Sequence, residues 1–182
     1  MLNLESILKA PEITNDVRLA SKGNKEAFCR LIDSNKNQLY RIAKGIIYTE
    51  DDIDDALQET ILNAWLHINS LKKEEYFKTW LIRILINECY SILSKRKKVI
   101  HLEEIKPIES NDINSNEEID LWNALNSLSD ELRTTVILFY FEDLHYKEIA
   151  AILKISEGTV KSRLSRAKVK LEGMLNIAVE GE

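Results

Sequence analysis

The stretch from Tyr146 to Leu171, YKEIAAILKISEGTVKSRLSRAKVKL, constrains the fold more tightly than any other part of this chain. Ile149, Ala150 and Leu153 recur at helical spacing, so Tyr146 to Lys154 reads as a short helix. Ile155 closes a turn, and Ser156 has a side chain able to cap a second helix starting at Glu157. In that helix Val160, Leu164, Ala167 and Leu171 fall on one narrow stripe, at about 100° per residue. Gly158, Lys161, Ser162, Ser165 and Arg166 lie opposite, with Arg163 and Lys168 on the flanks. Small hydroxyls and cations on one face suit a major groove, where they bond base edges and neutralise phosphates. The pattern predicts a helix-turn-helix with its recognition helix at Glu157 to Lys170. A solvated amphipathic hairpin would share the apolar stripe, but it would not require a polar face so one-sided in charge.

A helix-turn-helix serves many functions, so the rest of the chain has to discriminate. Glycine (5) and proline (2) are scarce among 182 residues, while Leu, Ile, Lys, Glu and Asn abound, and the expected fold class is all-α. No apolar run approaches the roughly 20 residues that a membrane span needs. The start, MLNLESILKAPEITND, lacks the basic opening and apolar core of a secretory signal, so a cytoplasmic location is expected. Cys29 and Cys89 have no CxxC partner, and His67, His101 and His145 are scattered. Neither a metal nor another cofactor is expected, and both cysteines read as reduced core residues.

The formal charge of −5 hides a segregation. Lys95 to Lys98 and Lys154 to Lys170 are basic blocks, whereas Glu50, Asp51, Asp52, Asp54, Asp55 and Glu59 form an acidic one. His101 to Asp120 is acidic too, with Lys106 its one lysine or arginine. Two basic surfaces and a separate acidic one imply two kinds of partner, nucleic acid and a basic protein surface.

Residues 23–98 read as a helical domain, with helices at Lys25–Tyr48, Asp51–Ile68 and Phe77–Lys97. In the first, Ala27, Phe28, Leu31, Leu39, Ile42, Ala43 and Ile46 are the expected core. Residues 1–22 are an N-terminal extension. Residues 99–116, with Pro107 and many Asn, Ser and acidic residues, read as a flexible linker. Residues 117–182 resume the helical pattern, where Leu121, Leu125 and Leu128 lead to a stop at Ser129 and Asp130. The expected architecture is two small helical domains on a tether.

The helix at Asp51–Ile68 has an expected core line through Ile53, Leu57, Ile61, Ala64 and Ile68. Its opposite face pairs Asp52, Asp55, Glu59 and Asn63 with Leu62 and Leu66. Leucines among carboxylates on an outward face suit a basic protein partner. In the helix at Phe77–Lys97, Leu81, Leu85, Cys89 and Ile92 form the expected core line, and Trp80, Arg83, Ile84, Asn87 and Ser91 face away. Ring, amide and guanidinium groups on one face are what base stacking, edge recognition and phosphate contact require. Ser70–Tyr76 is a polar loop just ahead of them, able to pocket an unstacked base.

In order and spacing, DIDDALQETILNAW, FKTWLIRILINECYSILSKRKK and LNSLSDELRTTVILFYFEDLHYKEIAAILKISEGTVKSRLSRAKVKL resemble bacterial sigma factors of the extracytoplasmic-function group. The resemblance covers about Ala27 to Leu171 and implies sigma regions 2 and 4 joined by the acidic linker. It implies a protein that binds core RNA polymerase, directs it to promoter DNA and promotes strand opening, without chemistry or a small-molecule substrate of its own. Asp55, Gln58, Glu59 and Asn63 match the family's polymerase-docking helix, and Leu62 and Leu66 join them on that face. Phe77, Trp80, Arg83 and Asn87, followed by Lys95 and Arg96, match the helix that recognises and melts the −10 element. Thr159, Lys161, Ser162, Arg163, Ser165 and Arg166 match the helix that reads the −35 element. An anti-sigma factor, often membrane-linked in this group, is implied as a further partner.

Two positions depart from the family pattern. Ser129 stands where many members have proline, and His145 stands where a helix-capping serine is usual, which forgoes a bond of about 1 kcal/mol. The competing expectation is a helix-turn-helix regulator that binds duplex DNA as a dimer without polymerase. It would need a dimerisation or ligand-sensing element, and the sequence has no heptad repeat.

Overall fold

The computed structural model describes the backbone of residues 4–100 and 122–179, and the side chains of residues 13–96 and 122–174. The expected linker therefore lies outside the described residues, apart from residues 99 and 100. Every regular element among the described residues is helical. The chain divides into two compact units, Met1–Ser94 and Lys95–Glu182.

The first unit holds helices α1 (Leu4–Ser21), α2 (Lys25–Ile46), α3 (Glu50–His67) and the start of α4 (Phe77–Ile100), which runs through the division. The expected N-terminal extension, residues 1–22, contains helix α1. Helix α1 packs along α2 and buries Val17 and Ala20. Asp16 on α1 accepts from Arg30 Nε at 3.0 Å and Nη2 at 2.5 Å, and this guanidinium holds the Asp16 carboxyl below its usual range. Gly23 then turns the chain at φ +91°, a conformation costly for any residue with a Cβ. The Asn24 side chain accepts from the Ala27 N–H at 2.8 Å and caps α2.

Helix α2 buries Ala27, Phe28, Leu31, Leu39, Ile42, Ala43 and Ile46, as its periodicity predicts. Cys29 is exposed, contrary to expectation, because the inward face is set by Phe28 and Leu31 and position 29 turns away from it. Cys89 is buried, and loss of water pushes its thiol up to about 12.

Helix α3 starts at Thr49, whose hydroxyl accepts from the Asp52 N–H at 3.3 Å. Glu50, Asp51 and Asp52 fill its first turn, where carboxylates meet the positive end of the helix dipole. Its core line is Ile53, Ala56, Thr60 and Ala64; of the expected Ile53, Leu57, Ile61, Ala64 and Ile68, the first, fourth and last are buried. Small residues on the inner face let the neighbouring helices approach closely, so the bulkier Leu57 is only half-buried and Ile61 is 36% exposed. Thr60 is buried without an unmet polar group, since its hydroxyl donates to the Ala56 carbonyl at 2.6 Å.

Short turns at Ile68–Ser70 and Glu74–Tyr76 lead into α4. Helix α4 buries Phe77, Leu81, Ile82, Leu85, Ile86, Cys89 and Leu93. That stripe is wider than the expected line, and Ile92 sits at its half-buried edge.

In the second unit residues 122–126 are helical, and Leu125 and Leu128 are buried. After a break at Ser129 come α5 (Asp130–Val136), a wider π-type turn (Ile137–Phe141), α6 (Tyr146–Leu153) and α7 (Glu157–Val179). The wider turn is closed by the Glu142 N–H donating to the Ile137 carbonyl at 3.2 Å. Arg133 is buried inside this unit with its guanidinium 3.0 Å from Asp130, the carboxylate that makes burying the charge tolerable. No helix among the described residues is long and apolar enough to cross a membrane.

Candidate nucleic-acid and protein interfaces

On α3, residues 55, 58, 59, 62 and 66 turn away from the core line. Asp55, Gln58, Glu59, Leu62 and Leu66 are all exposed, Leu62 at 50% and Leu66 at 58%. Ile61 borders them, so the apolar strip is broader than the sequence suggested. Asn63 is different. It is half-buried and its amide donates to Glu88 of α4 at 3.1 Å, so it ties α3 to α4 as well as edging the face. The arrangement is an apolar strip among carboxylates, anchored to a rigid bundle.

On α4, Trp80, Arg83 and Asn87 follow one another at helical spacing along one side. Trp80 and Arg83 are half-buried and Asn87 is exposed. Phe77 corrects the expectation, because it is 1% exposed and its ring lies in the core. Its ring centroid is 6.0 Å from that of Trp80 at a 42° tilt, so Phe77 supports Trp80 rather than facing a ligand. Tyr76 just before it is exposed, with Lys73 Nζ 5.6 Å from its ring centroid. Sequence reasoning named the loop but not this ring, which adds a second aromatic surface next to Trp80. Lys95 is exposed and Arg96 half-buried further along the helix.

The helix-turn-helix forms at the residues its pattern predicts. Lys154 ends α6 in the left-handed region at φ 56°, a role glycine fills most easily. The Ile155 N–H donates to the Ala150 carbonyl at 3.1 Å, and Ser156 Oγ accepts from the Thr159 N–H at 3.0 Å to cap α7. Val160, Leu164 and Ala167 are buried, while Leu171 is half-buried. On α6, Ile149, Ala150 and Ile152 are buried, and Leu153 is half-buried. At the start of α6, His145 does not forgo the capping interaction altogether. Glu148 Oε2 accepts from the His145 N–H at 2.9 Å, the reciprocal half of a capping box.

The outward face of α7 presents Lys161, Ser162, Ser165 and Arg166, all exposed. Ser162 donates to the Thr159 carbonyl at 2.9 Å, and Arg166 Nε reaches the Ser162 carbonyl at 3.3 Å. Thr159 is half-buried, its hydroxyl 2.9 Å from that of Ser156. Arg163, expected on the flank of this face and matched to the −35 helix by the resemblance, is tied into the fold. Its side chain is 12% exposed and its guanidinium donates to Glu131 of α5 at 2.7 Å, so it braces the helix-turn-helix against α5.

No group of three or more His, Cys, Asp or Glu side chains placed to hold a metal occurs among the described residues. What the surfaces offer is binding: one acidic and apolar face, one aromatic and polar face, and one basic face.

Comparison with known proteins identifies two family matches in this chain. Residues 31–99 match the family described as Sigma-70 region 2, and residues 118–171 match Sigma-70, region 4. The ECF RNA polymerase sigma factor SigM of Mycobacterium tuberculosis is 32% identical over 155 residues, spanning 84% of this chain and 79% of the relative. The RNA polymerase sigma factor SigV of Bacillus subtilis is 34% identical over 138 residues, spanning 75% of this chain and 83% of the relative. Among solved structures, the sigma factor RpoE of Bartonella quintana, in complex with the anti-sigma factor NepR, superposes with a TM-score of 0.72. It is 32% identical and the match covers 82% of this chain and 97% of that one. Two sigma regions in the expected order, relatives spanning most of the chain and a shared fold lead to one conclusion: this chain belongs to the extracytoplasmic-function group of RNA polymerase sigma factors, the alternative initiation factors that bind core polymerase and direct it to promoters.

Proposed function

We propose that this sigma factor divides its work among the three faces just described. The exposed face of α3, with Asp55, Gln58, Glu59, Leu62 and Leu66, docks on core polymerase. The side of α4 with Trp80, Arg83 and Asn87, together with Lys95 and Arg96 further along the helix, engages the −10 element and favours its opening. The outward face of α7, with Thr159, Lys161, Ser162, Ser165 and Arg166, reads the −35 element. Residues 23–98 and 117–182 act as the two binding domains and 99–116 as their tether. An anti-sigma factor is the expected regulator, by analogy with the NepR complex of the Bartonella relative. The cytoplasm is the expected location.

The observation that carries the division is the strip on α3, where Leu62 and Leu66 stand exposed between carboxylates on a helix whose other side is fully committed to the core. Opening DNA needs no covalent step under this reading. Bases captured by protein offset the stacking they lose, which costs a few kcal/mol per step.

The test uses promoter fragments that the protein occupies on its own genome. The wild-type chain should bind them tightly only with core polymerase present, as a sigma factor does and a dimeric repressor does not. Changing Asp55 and Glu59 to lysine should abolish core binding, since attraction at the contact becomes repulsion. Full co-purification of that double variant with core polymerase would overturn the α3 assignment.

A further inference from the structure

The helix-turn-helix carries an aromatic stack that its recognition face does not include. Tyr146, the first residue of α6, lies 5.1 Å from Phe139 between ring centroids, with the planes only 11° apart. Phe139 in turn meets Tyr140 edge-on, at 4.9 Å and 88°. Lys161 of α7 reaches back so that its Nζ lies over the Tyr146 ring, 5.4 Å from the centroid. Tyr146 is also fixed from its own backbone, because the Glu148 carboxylate caps the His145 N–H immediately before it.

From this arrangement we infer that Tyr146 is a positioning residue for Lys161, its ring serving as a platform that pre-orders the ammonium for contact with promoter DNA. The inference rests on the reading of α7 as the −35 helix. A lysine on an open helix face explores many rotamers, and ordering it on binding has an entropic cost. A ring face attracts the ammonium through its quadrupole, so part of that ordering is complete before DNA arrives. The platform itself is rigid, held by the stack on Phe139 and by the cap at His145. Ser162 and Arg166 instead bond to backbone carbonyls of α7 itself. The Lys161 head group, by contrast, is held by a ring on another helix, α6.

The experiment measures closed-complex affinity of the holoenzyme on its promoter for Tyr146→Phe, Tyr146→Leu, Lys161→Ala and the double variant Tyr146→Leu/Lys161→Ala. Tyr146→Phe keeps the ring and should bind like wild type. Tyr146→Leu should weaken binding about two- to fivefold, the strength of an exposed cation–π contact. In the Lys161→Ala background the same change should cost nothing further. An equal loss in both backgrounds would show the ring acting only on the scaffold and overturn the inference. A loss in Tyr146→Phe as large as in Tyr146→Leu would assign the effect to the hydroxyl, with the same result. If Lys161→Ala alone binds normally, the reading of Lys161 as a DNA contact fails first, and the inference fails with it. Should Tyr146→Leu not fold, wild type decides by NMR: the Lys161 Cε protons should be shifted upfield by the ring current, and random-coil positions would refute the platform.

Discussion

Truncating Leu62 and Leu66 together to alanine should weaken the affinity for core polymerase by more than an order of magnitude while leaving the fold intact. The magnitude follows from exposure. Complete burial of a leucine side chain is worth about 1.5–3 kcal/mol. Leu62 retains 50% and Leu66 58% of its surface in water, so that share is what docking can still remove. Scaling by these fractions and adding the two positions gives about 1.6–3.2 kcal/mol, or roughly 15- to 200-fold in Kd. Alanine is at least as good a helix former as leucine, and neither side chain lies on the α3 core line. The melting temperature should therefore stay within the range of an ordinary surface change, about 0.5 kcal/mol in stability. A fluorescence titration of labelled protein with core enzyme supplies the Kd, and thermal unfolding supplies the control. A Kd within threefold of wild type, at unchanged stability, would show that this strip stays wet in the complex, and the docking assignment would fall.

The cysteines should react very differently in the native protein. Cys29 should be labelled by a thiol reagent at neutral pH, while Cys89, buried and with its thiol pushed up to about 12, should react only on unfolding; fast labelling of both would refute the packing of α4. The Asp16–Arg30 pair should make the anchoring of α1 pH-dependent. Because Arg30 lowers the folded-state pKa of Asp16, its contribution is present above the usual carboxylate range and fades as pH falls through the folded value. Asp16→Asn should thus be less stable than wild type at neutral pH and converge with it in acid, as denaturant titrations at several pH values would reveal; a constant difference would rule out the linkage.

Much of this architecture is legible in the sequence, and the exceptions share a physical cause. Helix α2 can be read residue by residue because its inner face carries large apolar side chains at helical spacing, as do Val160, Leu164 and Ala167 in α7. Helix α3 is harder, since its buried line runs through Ala56, Thr60 and Ala64. A reader ranking positions by hydrophobicity prefers Leu57 and Ile61, although close helix approach favours the small residues. Hydrophobicity cannot disclose that a threonine hydroxyl is satisfied by its own helix. Phe77 and Trp80 look alike in sequence, and only packing separates the buried ring from the partly open one beside it.

Charges are misread for a related reason. Arg163 sits among the cations of α7, and helical spacing puts it only on the flank of the face that carries Arg166. Its carboxylate partner is Glu131, on another helix of the same unit. Arg133 is more extreme: it is a cation within the seven-residue helix α5, and it is buried against Asp130. Arginine fits both tasks, because its planar fork can answer a phosphate or a carboxylate equally well. The sequence therefore shows where the cations stand along the helices, and tertiary ion pairs decide which of them are tied into the fold. Lys161 marks the intermediate case, since an aromatic ring holds its ammonium without neutralising it. A carboxylate in that place would neutralise the charge, as Glu131 does for Arg163, whereas a ring restrains its position and, under the proposed reading, leaves the charge available to DNA.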